Sequence, residues 1–120
     1  MPTDDQTLCV HFLAARSAAG DLRSWVVKHY FLQDSQLDIN MTTTLRQLDH
    51  VMRSETFYGY DISQAPPALL TPIRHYIRLL WDGQRTLSGE HFPKKLFLKH
   101  KRISEITEAT HIRHKGQNDA

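Results

Sequence analysis

The 120-residue sequence carries 8 histidines, and imidazole both ligates metals and moves protons near neutral pH. His111 and His114 stand three residues apart, on one face if the segment is helical, and His100 and His91 could complete a tetrahedral zinc set. No cysteine pair and no H-E-x-x-H spacing accompanies them, so solvated or capping histidines are expected, with no metal and no other cofactor. Cys9, the single cysteine, would need His11 or His29 as a base and a third group to orient that base. Its neighbours Leu8 and Val10 favour a small buried residue instead. Asp4 with Asp5, and Asp34 with Asp38, lack the apolar surroundings that separate two carboxyl pKa values for acid and base duties. They read as caps and solvated loop residues. The 5 glycines are scattered singly, which leaves no phosphate-cradling loop. With no nucleophile, base and orienting group at a recognisable spacing, the protein is expected not to be an enzyme.

Charge gives the stronger signal. Residues 1–90 hold 8 Lys or Arg against 10 Asp or Glu, whereas residues 91–120 hold 7 against 3. A basic segment therefore follows a slightly acidic body, which divides the chain into a body (1–90), a basic amphipathic arm (91–116) and a frayed tail (117–120). In the arm, Lys94, Lys95, Lys99, Lys101 and Arg102, joined by Arg113 and Lys115, could neutralise phosphates, and Phe92 and Phe97 could stack on bases. The competing expectation is a solvated helix face whose lysine stems lie along apolar surface. It is favoured because the chain as a whole, at a formal +2 and pI ≈ 8.8, lacks the domain-wide basic footprint of most nucleic-acid binders.

The elements that must position these groups follow from periodicity and punctuation. Asp4 to Ala18 reads as a helix, with Thr3 or Asp4 as N-cap, Leu8, Phe12 and Ala15 on one face, and Gly20 just past the end. Leu22 to Leu32 is ambiguous: Asp21 as N-cap favours a helix, and a strand pairing 25–32 with 7–14 in an N-terminal β-hairpin is the alternative. Residues 33–42 read as a polar connector. A second helix starts at Thr44, whose spacing to Gln47 matches a capping box, with Leu45, Leu48, Val51 and Met52 inward. A third is expected from Thr71 as cap and Pro72 as first helical residue to Gly83, with Ile73, Tyr76, Ile77 and Leu80 inward. After Pro93, Leu96, Lys99 or His100, Ile103, Ile106 and Thr110 recur near a seven-residue rhythm, either in one long helix or in two, the second capped by Ser104. Thr44 and Thr71 are too far apart in sequence for these helices to form a helix-turn-helix.

The fold expected is mainly α: a single small domain of four or five helices with a basic helical arm and a possible N-terminal hairpin. No stretch approaches the roughly 18 apolar residues of a membrane span. Asp4 and Asp5 stand where a secretory signal would be positive, and a lone cysteine suits a reducing cytoplasm. The rich supply of large side chains and arginine favours contact with another protein. Phe57, Tyr58 and Tyr60 of "FYGY", with Arg74, Arg78 and Trp81, form one candidate surface. The apolar edge of the arm, Leu96, Ile103 and Ile106, forms another and is expected to dock on protein, completing a homodimer. The function expected is that of a small regulatory or adaptor protein, for instance an inhibitor of a transcription factor or other macromolecular machine, with nucleic-acid binding through the arm as the alternative.

Overall fold

The computed structural model describes residues 4–33, 37, 44–84, 89 and 91–118, with the side chains of Phe92 and 111–118 excepted. Helix α1 spans Asp5–His29, α2 Leu45–Arg53, α3 Pro67–Gln84 and α4 His91–Asn118, and the strands β1 (Thr56–Phe57) and β2 (Tyr60–Asp61) form a small hairpin between α2 and α3. The architecture is mainly α, as expected. Residues 22–29 resolve as helix, and the one hairpin among the described residues lies at 56–61, not at the N-terminus, where 7–14 and 25–29 belong to the same helix.

One stripe explains the length of α1. Leu8, Phe12, Ala15, Ala19, Leu22 and Val26 are all buried and recur at alternating steps of four and three, the spacing that keeps one face toward a neighbouring helix. Gly20 falls off this stripe. It interrupts nothing, and Asp21 continues the helix instead of capping a new one. Asp4 supplies the N-cap, its Oδ1 accepting from Thr7 N at 2.8 Å. The helix stops at a Schellman turn: Leu32 N donates to Val27 O at 2.9 Å and Phe31 N to Lys28 O at 3.4 Å. Phe31 occupies the left-handed position of that turn, at φ 56°.

Helix α3 also begins earlier than its punctuation suggested. Pro67 takes the first helical position, Pro72 lies inside the helix, and the Thr71 hydroxyl donates to Pro67 O at 3.0 Å. Five inward side chains, Leu70, Ile73, Tyr76, Ile77 and Leu80, pack this helix along α1. Thr44 is the N-cap residue of α2, but no capping box forms there. Gln47 turns its Oε1 to the hairpin, where it accepts from Tyr58 N at 2.9 Å. The hairpin pairs Thr56 with Asp61 and Phe57 with Tyr60. Tyr58 and Gly59 both have positive φ, 52° and 83°, as a two-residue type I′ turn requires. Tyr30, just past α1, donates its hydroxyl to Asp61 O at 2.6 Å and so ties the end of α1 to the hairpin. Of the expected connector, Leu37 is buried and its carbonyl accepts from Arg23 Nε at 2.8 Å.

Helix α4 is continuous through Ser104, the one-helix alternative. Leu96, His100, Ile103 and Thr107 are buried against the body, again at steps of four, three and four.

Candidate protein-binding groove

Among the described residues, those that suggested chemistry do not converge. Cys9 is half-buried with its thiol 3.9 Å from Ile103 O. His11 turns to His75 of α3, ring centroids 4.6 Å apart. His29 stacks on Trp25 at 4.4 Å, about 30 Å along the helix from Cys9 and out of its reach. His100 is buried with Nδ1 2.8 Å from the Tyr76 hydroxyl, and burial raises the Tyr76 pKa far above the ordinary phenol value. Among the described residues no three His, Cys, Asp or Glu side chains could hold a metal ion together. The side chains of His111 and His114, and residues Asp34 and Asp38, lie outside the described ones.

The arm's charge is partly spent within the chain. Lys99 and Arg102 both donate to Asp5, the latter at 2.9 Å, and Arg16 pairs with Glu108 across the same α1–α4 seam. The bond from Lys99 is the largest cause holding the Asp5 carboxyl below its ordinary pKa, and the charges of Lys99 and Arg102 add to it. Lys94, Lys95 and Lys101 remain exposed, while the side chains of Arg113 and Lys115 lie outside the described residues.

The two expected contact surfaces also change. Leu96 and Ile103, read as the edge that docks on a partner, are 5% and 0% exposed and dock on their own chain. Phe57 is likewise buried, with Tyr58 and Tyr60 half-buried, so "FYGY" braces the core and is not an exposed trio. Arg78 is exposed, and Arg74 lies 4.0 Å from Glu55. Trp81 is half-buried, with the Arg53 guanidinium 4.7 Å above its ring.

Among the described residues, two grooves lie beside α4, each of about 600 Å³. One runs between α1 and α4, where Val10, Leu13 and Ile106 give it an aliphatic wall. The other lies between α2 and the first turns of α4. Leu45, Leu96 and Phe97 line its apolar centre, and Arg46, His50 and Arg53 line its α2 side. Phe97 is 57% exposed although its helix turns Leu96 and His100 inward. Sequence spacing found Leu96 and named Phe97 only as a base-stacking candidate. It missed Arg46, His50 and Arg53 because nothing in the order of residues says that α2 and the start of α4 line one groove. Comparison with family models, characterised proteins and solved structures finds no match. Among the described residues, no helix is long and apolar enough to cross a membrane.

Proposed function

We propose that the chain is a non-enzymatic regulatory or adaptor protein that holds a segment of another protein in the groove between α2 and α4. The observation that carries this reading is Phe97, a large aromatic left 57% exposed in the wall of a groove whose floor is apolar. Water gains nothing from such a surface, whereas an inserted apolar side chain removes both faces from it. The adjacent Leu98, 51% exposed, extends the apolar surface of Phe97. The reading moves the contact surface from the buried edge of α4 to its exposed flank and keeps Trp81 beside it, through Arg53. A cytoplasmic setting and a homodimeric state belong to the same proposal; light scattering checks the second.

Display of random peptides tests the proposal, with the Phe97→Ala protein as counter-selection. An enriched set sharing an apolar anchor, whose binding shifts the backbone amide resonances of Leu45 and Phe97, supports it. Peptides that bind the variant equally well, or no enrichment at all, refute it.

A further inference from the structure

We infer that the segment taken by the α2–α4 groove is acidic around its apolar anchor, an inference that rests on the groove reading above. The groove side of α2 presents Arg46, His50 and Arg53. The one carboxylate among the lining residues, Asp49, already accepts from Arg53 Nε through Oδ2 at 2.7 Å. Arg46 is exposed and has no ion-pair partner among the described residues. The opposite wall is the start of α4. Its first turn, from His91, contains no acidic residue, so no carboxylate on that turn offsets the positive end of the helix dipole. Lys94 and Lys95, both exposed, add to the same sign.

An apolar floor between cationic flanks discriminates by charge as well as by fit. A basic segment brings like charges against Arg46 and the α4 terminus, while an acidic one finds a partner on each side. Duplex nucleic acid supplies the negative charge but no apolar side chain to reach Leu45 and Phe97. The floor therefore favours a polypeptide. Two carboxylates placed over the rim give on the order of a 10-fold preference over the same segment with lysines.

Fluorescence anisotropy with three labelled probes tests this. They are a short peptide with leucine and tryptophan anchors flanked by glutamates, its counterpart with lysines for the glutamates, and a short DNA duplex. The expected result is that the acidic peptide binds about 10-fold more tightly than the basic one at low salt. Arg46→Glu should erase that preference, and Phe97→Ala should abolish binding of both peptides. Arg46 and Phe97 are both exposed, and melting curves verify that each variant folds. Equal affinity for the two peptides, both lost in Phe97→Ala, overturns the charge inference and leaves the groove reading standing. If neither peptide binds, or binding ignores Phe97→Ala, both readings fail. Duplex binding that exceeds peptide binding and disappears on neutralising Lys94, Lys95 and Lys101 overturns an acidic polypeptide as the occupant.

Discussion

The Tyr76 hydroxyl and His100 Nδ1 meet 2.8 Å apart in the core, with the Phe12 ring 5.5 Å from each of the two rings. This bond is a polar link between α3 and α4 in the core, and water cannot replace it at that depth. Tyr76→Phe should destabilise the protein by about 1–2 kcal/mol. In a double-mutant cycle with His100→Leu, the two losses should fall short of additivity by at least about 0.5 kcal/mol. Additive losses in denaturant titrations would show that the bond contributes nothing.

Acid should loosen the seam between α1 and α4. The Asp5 carboxyl is held below its ordinary value of 3.8 by Lys99 and Arg102. A carboxyl with a depressed native pKa adds stability above its unfolded value and loses it as pH falls through the native one. The contribution of Asp5 is thus complete near neutrality and fades below about pH 4. Its side chain is 30% exposed, which keeps the effect under about 1 kcal/mol. Asp5→Asn should lower stability at pH 7 and leave it unchanged at pH 2; equal losses at both pH values would exclude the linkage.

Gly20→Ala should stabilise. The glycine sits inside α1 off the buried stripe, its φ is not positive, and an added Cβ meets nothing within 4 Å. Replacing helical glycine by alanine gains about 0.5–1 kcal/mol, a rise of a few degrees in Tm. A lower Tm would mean that the helix needs freedom at this point.

Phe31 should prove strained. It is 93% exposed and holds φ 56° in the turn position that glycine fills most easily. Phe31→Gly should raise stability by about 0.5–1 kcal/mol once the entropy of the unfolded glycine is subtracted. Phe31→Ala, which keeps a Cβ in the same conformation, should give no such gain. Equal effects of the two substitutions in thermal melts would place the cause elsewhere.

The elements were legible where the apolar spacing was continuous and the punctuation unambiguous. Of the two caps the spacing offers, Thr3 and Asp4, the Asp4 side chain bonds the first turn. Gly20 reads as the residue just past a helix end, although Ala19, Leu22 and Val26 carry the stripe of Leu8 and Phe12 onward in register. Alanine is a faint apolar signal, and here it formed the bridge. Pro72 misled similarly, since a proline favours a helix start locally, while the burial of Leu70 outweighs that preference. The groove was out of reach for a different reason. Phe97 and Arg46 gain meaning only from tertiary placement, and Lys99 and Arg102 read as solvated because their partner Asp5 lies at the other end of the sequence.

The α1–α4 seam joins residues 92 to 97 positions apart: Arg16 to Glu108, Cys9 to Ile103, Asp5 to Arg102. Nearly the whole chain must be closed into a loop before any of these contacts forms, while α1, α3 and the hairpin can assemble over shorter spans. The seam therefore belongs late on the folding route and opens first on the way out. Weakening it should speed unfolding and leave the refolding rate almost untouched, so the persistence of the native state is set where the two outermost helices meet.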